Sequence, residues 1–207
     1  GEGGFRGVRL VPFGNKRSLD DFLRVASAIA HTLGDIHRHH IIHKDINSNN
    51  ILVDFEEQPA DKGAEGADSG FIKSLKIIDF GISSRIDVKM QHLGNPEILE
   101  GTLPYISPEQ TGRMNRVLDY RTDLYSLGVT FYEMLTGKLP VEAQDALELV
   151  HCHIAKRPQP VHLLRAEIPE MLSKIVMKLM AKNAQERYQS AYGLQYDLDK
   201  CLRKWQE

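Results

Sequence analysis

Residues 43–50 read HKDINSNN and lie between two short apolar segments, 41–42 and 51–53. A second acidic motif, DFG at 79–81, follows the apolar segment 75–78. Short apolar segments bounded by polar residues favour strands. Each motif is therefore predicted to lie in a loop at the edge of a short apolar strand, where polar side chains can face a cleft.

The acids and amides of these two motifs suit phosphoryl transfer. That reaction needs a carboxylate to accept a hydroxyl proton and hard oxygen ligands for a Mg²⁺ ion that bridges the phosphates. Asp45 can supply the carboxylate, and Asn50 with Asp79 can supply the ligands. Because Asn50 follows Asp45 closely, one loop can carry both the base and a metal ligand.

The order of the motifs resembles the signature of eukaryotic-type Ser/Thr protein kinases, which is HRDLxxxN, then DFG, then APE. This chain has HKDINSNN, DFG and then SPE at 107–109. Residues 101–105, GTLPY, match the start of the family's GTxxYxxPE pattern, and 119–128, DYRTDLYSLG, are similar to the DxWSLG start of its central buried helix. Each motif alone is weak, but their order makes the resemblance specific, and it runs from about residue 7 to 205.

The resemblance implies the C-terminal lobe of a protein kinase, mainly α-helical with a few short β-strands, over residues 7–207 after a frayed start at 1–6. Its parts are expected at these positions: a strand within 7–13, the hinge at about 11–14, the catalytic loop at 43–50, an exposed insertion at 55–74 and the activation segment at 79–109. The insertion is predicted because it is rich in Gly, Ala, Asp and Glu. No GxGxxG loop and no VAIK lysine precede the hinge, so the N-terminal lobe is expected to be absent and the chain to be incomplete and poorly active by itself.

Apolar periodicity predicts several helices. Phe22, Ala26, Ile29, Leu33 and Ile36 recur at steps of four and three, which predicts a helix from about Ser18 to the histidines at 37–40. Residues 123–137 are apolar on nearly every side, which is typical of a helix buried in the middle of a domain, with Gly137 as its C-terminal stop. Further helices are predicted over 141–155, 169–181 and 190–205.

The resemblance also implies individual catalytic and binding roles. Asp45 orients and deprotonates the substrate hydroxyl, while Asn50 and Asp79 hold Mg²⁺. ATP is the implied nucleotide, with Leu52 beneath the adenine ring and Ile78 lining the same pocket, although plain core packing is an equal alternative for these two residues.

Other residues are implied to support the site. His43 and Phe80 are expected to pack together, and Asp123 is expected to hydrogen-bond the backbone of the catalytic loop. Glu109 and Arg187 are expected to form a buried ion pair.

Two residues depart from the family pattern. Asn47 stands where Ser/Thr kinases have a Lys, so it can hydrogen-bond the transferring phosphate but brings no charge to it. Lys44 replaces an Arg that grips a phosphorylated activation loop, and Lys cannot form the bidentate fork. Control by phosphorylation of this loop is therefore predicted to be weak or absent.

A narrower resemblance leaves the function open. HKDIN, SPEQTGRMNR and the helix that follows look like the kinase-like domain at the N-terminus of hybrid sensor histidine kinases, in which histidine-kinase signalling modules follow. One hypothesis is an active Ser/Thr kinase. The alternatives are a pseudokinase-like scaffold module of a larger sensor protein or an inactive truncated fragment; an unrelated helical domain is a further reading.

Composition excludes little else. The chain has 207 residues and a net charge of −2, which gives no reason to expect nucleic acid as a partner. No apolar run approaches the roughly 18 residues of a membrane helix. Two isolated Cys fit a cytoplasmic location. The histidine clusters at 37–43 and 151–153 lack metal-ligand spacing, and nothing indicates the protein substrate or the upstream signal.

Overall fold

The computed structural model describes residues 8–9, 19–55, 72–80, 103–112 and 118–207, and every structural statement refers to these residues. The described elements, in chain order, are β1 (Val8–Arg9), α1 (Leu19–Arg38), β2 (Ile51–Phe55), β3 (Ile72–Ile77), α2 (Arg121–Thr136), α3 (Ala146–Ala155), α4 (Val161–Leu164), α5 (Glu170–Leu179) and α6 (Ala191–Gln206). The expectation of a mainly helical chain with a few short strands is confirmed for this part of the chain. The predicted frayed start, the hinge and most of the activation segment lie outside it.

Helix α1 follows the predicted apolar stripe. Asp20 and Asp21 lie in its first turn and Arg38 lies in its last, which places these charges favourably in the field of the helix dipole. Its buried face packs along α6, and Gly34 lies directly under the ring of Tyr192. A Cβ on Gly34 would lie 2.7 Å from that ring, so glycine permits the close approach of the two helices.

Helix α2 forms the centre of the core, as predicted. Nearly all of its residues are buried, including the polar residues Thr122, Asp123 and Ser126. Gly128 lets α5 approach, because a Cβ there would lie 2.7 Å from Cβ of Leu179. The helix ends at Gly137, which adopts the left-handed conformation with φ 70° and donates its N–H to the Glu133 carbonyl.

The three strands form one antiparallel sheet in the order β1-β2-β3. Ile51 pairs with Ile77, and both are buried in the core that the sheet shares with α1 and α2. Leu52 pairs with Lys76 on the opposite face of the sheet. The loop of residues 43–50 enters β2 directly, so the sheet holds the end of that loop.

The predicted insertion at 55–74 is wrong at both ends. Phe55 is the last residue of β2, and β3 begins at Ile72 rather than at Leu75. Pairing with β2 extends the strand through Lys73 and Ser74. Their polar side chains suit a half-exposed strand, but such residues do not predict a strand from the sequence. The residues between the strands, 56–71, lie outside the described part of the chain.

Several helix boundaries also differ from the predictions. Helix α3 begins at Ala146 rather than 141, because Asp145 caps its N-terminus by accepting the N–H of Glu148. Ser190 caps α6 in the same way and is not itself helical. Helix α5 spans Glu170–Leu179, and the single-turn helix α4 was not predicted. Among the described helices, none combines the length and the apolar character that crossing a bilayer requires.

Candidate active site

Asp123 of the central helix anchors the loop of residues 43–50. Its fully buried carboxylate accepts the backbone N–H of His43 at 2.9 Å and that of Lys44 at 2.7 Å. The Nε2 atom of His37 lies 2.8 Å from the same carboxylate. The expectation that Asp123 would bind this backbone is confirmed, and the loop is thereby fixed to the centre of the core.

Two side-chain amides hold Asp45 within this loop. Nδ2 of Asn50 donates to the Asp45 carbonyl and to Oδ2 of its carboxylate, both at 2.9 Å. Nδ2 of Asn47 donates to the same carbonyl and to Oδ1, both at 3.2 Å. All three residues are at least nine-tenths buried. The carboxylate therefore has a defined position, with one amide N–H on each oxygen.

His43 connects this loop to the motif at 79–81. Its Nε2 donates to the Ile78 carbonyl at 2.9 Å, so its Nδ1 carries the lone pair that accepts the N–H of Asp45 at 3.3 Å. These two bonds define a neutral tautomer. The His43 ring lies 4.7 Å from the ring of Phe80, as expected, although Phe80 is 51% exposed.

Asn50 and Asp79 lie at neighbouring points of the site. The N–H of Ile78 donates to the Asn50 carbonyl at 2.9 Å, which places Asp79 one residue beyond this bond. Because the amide nitrogen of Asn50 is engaged with Asp45, its Oδ1 is the atom that can face a cation. The Asp79 side chain is exposed. One carboxylate oxygen and one amide oxygen are a donor set that suits Mg²⁺.

No described group of three or more His, Cys, Asp and Glu residues could hold a metal ion by itself. A magnesium site of the phosphate-dependent kind needs only one or two protein ligands, which act together with substrate phosphates. Asn50 and Asp79 could supply such ligands.

Leu52 and Ile78 share the sheet face that points away from the core. Leu52 lies opposite Lys76, and Ile78 follows Lys76 by two residues, so the side chains of Leu52 and Ile78 emerge on the same side. Leu52 is half-buried and Ile78 is 37% exposed. Neither belongs to the core cluster of buried residues. The two residues therefore provide an accessible apolar surface on this face of the sheet.

A second segment, residues 103–111, packs against α2. Ser107 caps the short turn Pro108–Thr111 through a capping box with Gln110. The Glu109 carboxylate receives two hydrogen bonds from Arg187, at 2.6 and 2.9 Å, and a third from Thr122. Arg187 is 2% exposed and Glu109 is 7% exposed. The expected buried ion pair is confirmed.

A family model described as protein kinase domain matches residues 14–198. The chain belongs to the protein kinase family. Residues 43–50 and 103–111 lie within the matched range and are therefore parts of a kinase domain.

Several curated proteins are similar to this kinase domain. Hybrid signal transduction histidine kinase G of Dictyostelium discoideum is 54% identical over 98 residues, which are 47% of this chain and 3% of that protein. A probable serine/threonine-protein kinase of Clostridium perfringens is 32% identical over 87% of this chain and 24% of its own length. The serine/threonine-protein kinase PknB of Mycolicibacterium smegmatis is 30% identical over 78% of this chain and 23% of its own. The chain thus spans a quarter or less of these relatives.

Two backbone conformations in the kinase site are unusual. Lys44 has φ 67° and Asp79 has φ 65°, in the left-handed region that favours glycine. The Lys44 N–H donates to the Asp123 carboxylate, and Asp79 directly follows Ile78, whose N–H donates to the Asn50 carbonyl. The strain is thus maintained by the surrounding hydrogen bonds, which is common at functional sites.

The structure adds residues that the motifs did not assign to the site. Gln110 donates its amide to the Lys44 carbonyl at 2.9 Å. Glu133 accepts the hydroxyls of Ser48 and Tyr105. Below the 103–106 segment, Lys182 donates to the Tyr125 hydroxyl, which lies 3.1 Å from Nδ1 of the fully buried His153. Gln110 lies in the kinase-like segment SPEQTGRMNR, and Glu133 lies in the kinase-like helix that follows it. This location is the only sequence signal that could have indicated either residue.

Proposed function

We propose that this chain is the catalytic lobe of a protein serine/threonine kinase, which transfers a phosphoryl group from ATP to a protein hydroxyl with Asp45 as the base. The observation that carries the proposal is the placement of Asp45. Its carboxylate is buried and each of its oxygens accepts one amide N–H, one of them from Asn50, an implied metal ligand. The other implied ligand, Asp79, follows Ile78, whose N–H donates to the Asn50 carbonyl.

This geometry suits a base that accepts a hydroxyl proton. A carboxylate has about four acceptor positions, and Asn47 and Asn50 use one on each oxygen. A serine or threonine hydroxyl would donate to one of these oxygens when a substrate binds. The two amides fix the orientation of the carboxylate, and such positioning is a large part of what a kinase contributes to phosphoryl transfer.

Residues already described would hold the nucleotide and its metal. Oδ1 of Asn50 and the Asp79 carboxylate would bind Mg²⁺, and Leu52 with Ile78 would contact the adenine ring. The bound Mg²⁺–ATP supplies the phosphoryl group and neutralises its charge. Asn47 donates to Asp45 and caps the N–H of Asn49 at 3.0 Å, so its role is to position the base. Because it adds no positive charge, we expect slower transfer than a Lys at this position would give.

A pseudokinase-like scaffold module of a larger sensor protein is the second candidate. The amide of Asn47 is directed to Asp45, and the identity to a protein named hybrid signal transduction histidine kinase G adds weight to a signalling role. In that case the domain would bind nucleotide or a partner domain without turnover. An inactive fragment would show neither property.

The test is phosphate transfer by the intact gene product, including any sequence that flanks residues 1–207. Transfer from Mg²⁺–ATP to a mixed Ser/Thr peptide library is compared between the parent protein, Asp45→Asn and Glu142→Gln. Glu142 is exposed on the surface, so its variant removes one negative charge without touching the site. Activity that is lost only in Asp45→Asn supports the kinase. If the parent protein is no more active than Asp45→Asn, the kinase proposal is contradicted. A nucleotide-dependent rise in melting temperature without turnover then favours the scaffold.

A further inference from the structure

Glu133 joins two loops of the site through a single carboxylate oxygen. Its Oε2 accepts the Tyr105 hydroxyl at 2.7 Å and the Ser48 hydroxyl at 3.3 Å. Ser48 lies three residues after Asp45 in the catalytic loop, and Tyr105 lies in the segment that precedes the 107–109 motif. Glu133 itself is on the central helix, so the rigid core provides the connection.

A second connection lies on the other side of Asp45. Nε2 of Gln110 donates to the Lys44 carbonyl at 2.9 Å. Lys44 precedes Asp45 by one residue, and Ser48 follows it by three. The short stretch that carries the base is therefore tied on both sides to the 103–111 segment, by Gln110 directly and by Tyr105 through Glu133.

The Tyr105 hydroxyl does not hold its own backbone in place. The Tyr105 carbonyl accepts the hydroxyl of Ser126 at 2.7 Å, which anchors the segment to α2 independently. Burial, and then the hydrogen bond to Glu133, raise the pKa of Tyr105 above its ordinary value, so its hydroxyl remains a donor. The bonds to Glu133 are thus additional to the packing that folds the segment, so they can have a role other than stability.

We propose that Glu133 is a positioning residue, which fixes the Ser48 end of the catalytic loop against Tyr105 and so keeps Asp45 in the position from which it would accept the proton of a substrate hydroxyl. The expected effect on catalysis rests on the proposed kinase function, whereas the expected effect on the structure of the loop does not. Loss of the bonds should lower kcat by about tenfold or more, since small displacements of a reacting group have effects of this size. KM for ATP should change little, because the residues that would contact the nucleotide are not touched.

The experiment uses single-hydroxyl deletions as the sharpest variants. Ser48→Ala and Tyr105→Phe each remove one donor, Glu133→Gln removes the charged acceptor, and Glu142→Gln is the surface control. Steady-state kinetics of the intact gene product gives kcat and KM for each single variant and for Ser48→Ala combined with Glu133→Gln. We expect the double variant to lose no more than the worse single variant, because both remove the same connection.

Hydrogen exchange supplies a readout that does not depend on activity. The N–H groups of Asn49 and Asn50 are bonded to Asn47 within the loop, so they report whether the loop opens. Their exchange should quicken about fivefold or more in Glu133→Gln and Ser48→Ala while the melting temperature stays within about 3 °C of the parent. Unchanged exchange at Asn49 and Asn50 overturns the inference, and so does additive loss of kcat in the double variant. If the parent protein lacks activity, the kinase proposal fails, and exchange alone decides on the role of Glu133.

Discussion

Replacing Arg187 by Met should destabilise the fold severely. Arg187 donates two hydrogen bonds to Glu109 and further bonds to the backbone carbonyls of Ala181, Arg121 and Lys182. Its side chain is fully buried, and that of Glu109 is 4% exposed. The variant leaves a buried carboxylate that keeps the bonds from Thr122 and from the Glu109 backbone N–H but has no positive partner, and it leaves three carbonyls without this donor.

The magnitude follows from that geometry. Breaking a buried pair by removing one partner costs about 3–5 kcal/mol, because the remaining charge is uncompensated. For a chain of this length, each kcal/mol lowers the melting temperature by about 2–4 °C. We therefore expect a decrease of roughly 6–20 °C. Arg187→Lys should lie between the parent and the Met variant, because it keeps the charge but loses the two-pronged contact.

The assay is urea unfolding followed by far-ultraviolet circular dichroism, with Glu109→Leu and the double variant Glu109→Leu with Arg187→Met as partners in a double-mutant cycle. The double variant should lose clearly less than the sum of the two single variants, because it strands no charge. A loss below about 1 kcal/mol in Arg187→Met, or a strictly additive cycle, would refute the reasoning, since both would mean that burial of the pair has little energetic weight.

The same pair gives a pH dependence. Burial raises the pKa of Glu109, but the hydrogen bonds and charge of Arg187 outweigh burial, so the net pKa lies below its ordinary value. A depressed carboxyl pKa contributes stability that is present above the unfolded-state pKa and is lost as the pH falls through the folded-state pKa. Acid unfolding should therefore be less steep in the double variant than in the parent.

Three other substitutions test separate parts of the structure. Asp123→Asn should cost about 3 kcal/mol in urea unfolding, because an amide places a donor against buried N–H groups that now meet a carboxylate. Gly128→Ala should cost about 1–3 kcal/mol, because its Cβ would meet Leu179, whereas the control Gly193→Ala should be neutral or stabilising, since only a hydroxyl lies near. His153→Phe should flatten the stability profile between pH 6.5 and 4: burial, then a nearby Lys charge, lowers the pKa of His153 to about 3, so the unfolded chain takes up a proton in this range that the folded chain does not. Urea titrations at pH 7 and 4.5 measure how the free energy of unfolding changes with pH. An equal change in the parent and in the variant would contradict the prediction.

The sequence was sufficient for features that depend on periodicity or motif order. The stripe from Phe22 to Leu33 has the helical period and is buried in α1. The all-round apolar character near Leu127 predicted the central position of α2. The pairing of Glu109 with Arg187 across 78 residues came from the resemblance alone, because no local pattern connects them.

Other features could not be predicted because they depend on side-chain contacts between distant residues. Ser48 and Glu133 are 85 residues apart, and Tyr105 and Glu133 are 28 apart, so no period links them. The direction of the Asn47 amide depends on the fold of its loop and not on its residue type. The start of β3 was missed for a related reason: Ile72 and Ser74 pair with β2, and the polar residues Lys73 and Ser74 belong to the strand because of this pairing and not because they favour a strand themselves.

The left-handed backbone at Lys44 and Asp79 has an evolutionary consequence. A residue other than glycine in this region costs on the order of 1–3 kcal/mol, so selection for stability alone would favour glycine at both positions. A descendant protein that kept the fold and lost the chemistry would gain from that exchange, and it would gain at these positions before many others. The residues found at positions 44 and 79 in natural variants of this domain therefore indicate whether the two side chains are still needed despite the backbone strain.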